Sequence, residues 1–148
     1  MKKVLILAMI LNVSCGPSGP DFDEDHAFEY LLKQCEFGPR NPSSEGYYKC
    51  LEFMLEELDK TAEDIIIQEF SYQEKKHRTR HDLSNVIARY NIDSEIQTII
   101  SCHWDTRPWS DSEPNRKDRN QPIIGANDGG SGVAVSYTHL TLPTSYAV

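Results

Sequence analysis

Three side chains have the types and spacing of a metal centre. His103 and Asp105 stand two apart, and Asp128 comes just before Gly129-Gly130-Ser131-Gly132. The apolar run Ile96–Cys102 reads as a buried strand. Successive side chains of an extended segment point to opposite faces. His103 and Asp105 then leave the strand's end on one side, Cys102 and Trp104 on the other. A polar loop follows and returns through Pro122-Ile123-Ile124 to a tight turn over Gly125–Asp128, after which a helix can begin. One imidazole and two carboxylates at the carboxyl end of a buried strand suit a hard-to-borderline divalent cation, zinc first. Gly129 and Gly130 let backbone approach such a site closely.

Each residue also has a plainer use. Asp128 is either a ligand or a helix N-cap with Ser131 at the third helical position. His103 is either part of the metal site or a hydrogen-bonded histidine at a strand end. Asp105 belongs in the outer shell, holding a ring nitrogen or a backbone donor. Trp104 and Trp109 flank the site and either wall a substrate pocket or cover apolar surface.

His103-Trp104-Asp105 and Gly125-Ala126-Asn127-Asp128-Gly129-Gly130-Ser131-Gly132 together resemble the zinc aminopeptidase family, peptidase family M28. Arg107-Pro108-Trp109, Pro122-Ile123-Ile124, Phe37-Gly38-Pro39-Arg40 and Leu83-Ser84-Asn85-Val86-Ile87-Ala88 are similar to its bacterial glutaminyl cyclase (glutaminyl-peptide cyclotransferase) branch. The resemblance implies an α/β fold, a three-layer sandwich around a central mixed β-sheet, zinc-aminopeptidase-like and here truncated. It implies Zn2+ as cofactor, with Asp128 as a ligand. In the two-zinc aminopeptidases this position bridges both metals and the His103 position also ligates; in the cyclases the histidine stands beside a single zinc. It implies conversion of N-terminal glutamine to pyroglutamate with release of ammonia, on peptides or proteins that begin with glutamine. The general base and the remaining ligands are expected beyond Val135, so the 148-residue chain by itself is expected to hold no catalytic residue and to be inactive. Two alternatives remain: a two-zinc aminopeptidase releasing N-terminal amino acids, and a non-catalytic lipoprotein binding module.

Positioning such a site takes helices and strands. Ala27, Tyr30, Leu31 and Cys35 form the apolar stripe of a helix over about Asp25–Glu36. Gly38, Pro39 and Pro42 break it. Ser43 or Ser44 caps a second helix, running to about Lys60, with Tyr47, Cys50, Leu51, Met54, Leu55 and Leu58 as its core face. Ile65–Tyr72 and Leu83–Tyr90 read as strands joined by a basic hairpin loop, and Ile96–Cys102 is the third strand.

Composition limits the partners. The chain carries a net charge of −8 and is 39% hydrophobic, a soluble globular balance that disfavours nucleic acid, whose phosphates need basic patches. Residues 1–15 resemble a bacterial lipoprotein signal: Lys2 and Lys3, a short apolar core Val4–Leu11, then Val13-Ser14-Cys15, with Cys15 as the lipidation site. Residues 16–24 read as a flexible tether and 25–134 as the N-terminal part of the M28-like domain. Export, with the membrane met only through the lipid anchor or in a periplasmic form, implies an oxidising compartment. Cys35 and Cys50 then either form a disulfide or sit as small buried residues on facing helices. Cys102 packs as a small apolar group. Residues 135–148 look like a translated sequencing adapter and are expected to be a non-native tail, so His139 is no ligand candidate.

Overall fold

The computed structural model describes residues 21–75 and 78–140. The signal, Cys15, most of the tether and residues 141–148 lie outside the described residues.

Helix α1, Glu24–Glu36, starts where Asp23 accepts the amide of His26 at 2.9 Å, with Glu24 and Asp25 in its first turn against the positive end of the helix dipole. It stops at Phe37, and Gly38 follows at φ 81°, the left-handed conformation that ends helices most cheaply with glycine. Helix α2, Glu45–Leu58, is capped by Ser44, whose Oγ accepts the Tyr47 amide at 3.1 Å and donates to Pro39 O at 2.9 Å. One side chain thus starts the helix and pins the preceding loop. Strands β1, Asp64–Gln73, and β2, Arg80–Arg89, form an antiparallel hairpin in the register Asp64↔Arg89 to Gln73↔Arg80. Helix α3, Ser131–Leu140, packs on α1.

The core is aromatic. Tyr30, Tyr47, Cys50, Met54, Trp104, Val133, Ala134 and Tyr137 are buried together, with Leu31, Phe37, Phe53 and Val86 packed around them. Tyr30 stacks on Tyr137 at 4.4 Å and Tyr47 lies on Trp104 at 4.1 Å. Helix α3 runs on through Tyr137 and Thr138, both buried, into the β-branched stretch expected to be a non-native tail. Core packing outweighs a propensity deficit of a few tenths of a kcal/mol per residue.

The fold is α/β, with three differences from expectation. Ile96–Cys102 is not a strand. Ile96 is 82% and Ile99 89% exposed, and no described strand pairs with it. An extended segment becomes a strand only when its backbone groups find a ladder partner. The sheet of the described residues is accordingly two antiparallel strands, without the parallel pair that a mixed sheet needs. On α1, Gln34 replaces Cys35 as the buried residue, because its amide donates to Tyr30 O at 3.3 Å and Gly130 O at 3.1 Å. Cys35 and Cys50 are free thiols rather than a disulfide, and Cys50 is a fully buried core residue. Among the described residues, no helix is long and apolar enough to cross a membrane.

Candidate metal centre

The segment after Cys102 alternates as an extended chain must. Trp104 and Thr106 are buried, while His103 is exposed and Asp105 half-exposed on the other side. Trp104 is held from two sides: its ring lies on Tyr47, and its Nε1–H donates to Ser84 O at 3.2 Å. The Ser84 amide in turn donates to Tyr47 Oη at 2.8 Å. Trp104 is therefore a core residue joining α2 and β2, and it also lines a cavity with Ser84, His103 and Asp105. Trp109 is half-buried in the loop that follows. Cys102 is exposed rather than packed away; its Sγ lies 3.8 Å from Ser136 Oγ on α3.

The polar loop closes on itself. Ile123 N donates to Arg107 O at 3.3 Å and Ser110 Oγ to Gln121 O at 2.8 Å. This returns the chain to Gly125, at φ 63°, where the Gly130 amide bonds back to Gly125 O at 3.2 Å. Asp128 sits in this turn at φ −88°, ψ 95°, and Gly129 at φ 93°. A Cβ on Gly129 would lie 2.9 Å from His103 Cε1 and 3.1 Å from His103 O. Glycine is required there both by the backbone angle and by the closeness of the histidine.

The turn brings Asp128 Oδ1 to 3.0 Å from His103 Nε2. On the ring's other side Nδ1 lies 3.0 Å from Asp105 O and 3.5 Å from its carboxylate Oδ1. Asp105 thus orients the ring chiefly through its backbone carbonyl. Among the described residues Asp128 bonds His103, not the amides at the start of α3. Both ring nitrogens face oxygens that only accept hydrogen bonds. With Nδ1–H donated to the Asp105 carbonyl, Nε2 faces the Asp128 carboxylate, the position that a bridging proton or metal cation would take. Nitrogen and oxygen donors of a tetrahedral zinc stand about 3.4 Å apart, given metal–ligand distances near 2.1 Å. Opening the contact by a few tenths of an ångström is enough. His103 and Asp128 therefore fit as two members of a zinc ligand set, and Nδ1–H on a carbonyl is the tautomer that leaves Nε2 free to ligate. Among the described residues no group of three or more His, Cys, Asp or Glu that could hold a metal comes together.

One residue of the site escaped the sequence reading. Arg40 is fully buried. Its Nε donates to Trp104 O at 3.0 Å, Nη1 to Ile124 O at 2.9 Å and Gln34 O at 3.3 Å, and Nη2 to Gly125 O at 3.0 Å. Its own amide donates to Thr106 Oγ1 at 2.8 Å, and its carbonyl accepts the Thr106 amide at 3.2 Å. The available signal was an arginine enclosed by Pro39 and Pro42 in a helix-to-helix turn, but a loop arginine is ordinarily solvated.

Residues 85–144 match the model of peptidase family M28. Three solved structures superpose with TM-score 0.78 over 82% of this chain. They are the Bacteroides thetaiotaomicron glutaminyl cyclase bound to N-acetylhistamine (32% identical), the Tannerella forsythia glutaminyl cyclase (29%) and a Zn-dependent exopeptidase from Parabacteroides distasonis (30%). The chain spans 41% of the length of each. No curated protein sequence matches it. Motif, family match and structural relatives agree: residues 85–144 carry the pattern of peptidase family M28, and the fold is similar to that of bacterial glutaminyl cyclases and a Zn-dependent exopeptidase.

Proposed function

We propose that the protein is a zinc enzyme whose reaction is the cyclisation of N-terminal glutamine to pyroglutamate. The observation that carries the metal reading is His103 clamped between two acceptors, Asp105 O and Asp128 Oδ1, each 3.0 Å from a ring nitrogen. The similarity to two glutaminyl cyclases supports the choice of reaction. A zinc ion held there supplies a Lewis acid for an amide carbonyl oxygen. The chain's own part is positional. Asp105 O fixes the ring, Gly129 admits it, and Trp104, anchored in the core, fixes the backbone between them. In the reaction the substrate's α-nitrogen bonds to its own side-chain amide carbon, the carbon–nitrogen bond to the amide nitrogen breaks, and ammonia leaves. The nucleophile and electrophile belong to one residue, so catalysis is largely the holding of a ring-closing conformer. Catalytic zinc sites take three protein ligands, so His103 and Asp128 are part of a larger set. The same proposal places the protein outside the cytoplasm, tethered through Cys15, on the strength of the pattern in residues 1–15.

A second reading, a two-zinc aminopeptidase, is favoured by the contact of His103 with Asp128, which offers both side chains as donors at one point, and by the similarity to a Zn-dependent exopeptidase. Zinc counting on the full-length protein separates the two. One zinc per chain and pyroglutamate as product support the cyclase; two zincs and a free amino acid support the peptidase. Asp128→Ala is expected to lower the zinc content towards zero. Wild-type zinc content in that variant would overturn both readings.

A further inference from the structure

We propose that Arg40 is the positioning residue of the metal centre, the group that holds its two halves in register; this rests on the zinc reading above. His103 and Asp128 arrive from segments separated by the long polar loop, and both side chains are more than half exposed. The contacts that orient those side chains come from the same two segments, so the segments themselves must be held in register. Arg40 reaches both. Its Nε bonds the carbonyl of Trp104, the residue after His103, and its Nη1 and Nη2 bond the carbonyls of Ile124 and Gly125, just ahead of Asp128. The contact from Nη1 to Gln34 O ties both segments to the last turn of α1, where helix carbonyls lack intrahelical partners. The guanidinium is a rigid planar fork, so these bonds fix orientation as well as distance, which a lysine ammonium on a flexible stem does not do.

The cost of this arrangement argues that it has a purpose. The guanidinium is fully buried, and no carboxylate pairs with it among the described residues. Apolar side chains of similar volume would fill the space without burying a charge. The surroundings are also shaped for it. A Cβ on Gly130 would lie 3.3 Å from Arg40 Nη2 and 3.0 Å from Gly125 O. Gln34, buried beside it, donates to Gly130 O and grips the far end of the same turn.

The test compares Arg40→Lys with wild type and Asp128→Ala in the full-length protein. Zinc affinity is read by chelator competition, and ligand geometry by visible absorption of the Co2+-loaded protein. Circular dichroism reports folding. The expected result is a folded Arg40→Lys protein whose zinc affinity falls about tenfold or more, the range seen for groups that orient ligands, with an altered cobalt spectrum. A folded Arg40→Lys protein with wild-type affinity and spectrum overturns the proposal. If the lysine variant does not fold, Thr106→Val takes its place. It removes the hydroxyl that accepts the Arg40 amide and leaves the guanidinium present but less firmly seated. A smaller affinity loss supports the proposal, and wild-type affinity overturns it. Undiminished zinc binding by Asp128→Ala would instead bring down the metal reading itself, whatever Arg40 does.

Discussion

At the scale of single residues, the site is made by backbone as much as by side chains. Asp105 contributes its carbonyl more closely than its carboxylate, at 3.0 Å against 3.5 Å from His103 Nδ1. Gly129 contributes the absence of a side chain. Gly129→Ala places a methyl group against the His103 ring at a φ of 93°. The expected loss of stability is about 1–3 kcal/mol, with weaker zinc binding because the ring must move. Denaturant unfolding and zinc titration check the two effects, and an alanine variant with wild-type zinc affinity would show that the ring's place is not critical. His103, Asp105 and Asp128 were legible in the sequence because the alternation of an extended chain and a glycine-rich turn are local rules. Arg40 was not, because its partners lie 64 and more positions away, apart from Gln34.

At the scale of elements, Trp104 shows how a site residue's neighbour becomes a joint. It contacts α2 through Tyr47 and β2 through Ser84, so the segment carrying His103 is aligned by a core side chain. Trp104→Ala is expected to cost about 3–5 kcal/mol, as for large core aromatics. Trp104→Phe, which keeps a ring but loses the bond to Ser84 O, should cost about 1 kcal/mol for that bond, plus some packing. Unfolding midpoints read the difference. A role in the pocket wall alone would instead leave stability near wild type and raise KM. The two helices and the hairpin followed from caps, stripes and turn residues. Ile96–Cys102 did not follow, since apolar periodicity reports a preference for burial and says nothing about which backbone will supply the ladder.

At the scale of the whole molecule, the aromatic core carries a pH signature. Burial pushes the Cys50 thiol from its usual 9.0 up to about 11, with the nearby Arg40 charge opposing. Burial also pushes the Tyr137 hydroxyl from 10.0 up to about 12, assisted by its bond to Glu57. Tyr30 and Tyr47 are raised in the same direction, again mainly by burial. A group whose value is higher folded than unfolded releases its proton more readily on unfolding. The stabilisation is therefore complete below about pH 9 and is lost as pH climbs through about 11 and 12. The Cys50 share, for a rise from 9.0 to about 11 at about 1.36 kcal/mol per pH unit, is about 3 kcal/mol. Urea unfolding between pH 8 and 11 is expected to show a falling midpoint, and Cys50→Ala should flatten the part that begins near pH 9. A midpoint independent of pH would contradict the burial of these groups in the native state.

The amino-acid order alone determined the helices, the hairpin, the side of the chain on which His103 and Asp105 emerge, and the turn that presents Asp128. Each of these depends on neighbours within a few positions, where sterics and hydrogen-bond offsets leave few choices. Folding in three dimensions decided which of the flanking groups are core and which are surface: Trp104 in, Cys102 out, Gln34 and Arg40 fully buried. It also decided that a guanidinium beneath the site would collect carbonyls from three separate segments. Such contacts depend on which distant stretches of chain meet, and no local pattern encodes that meeting.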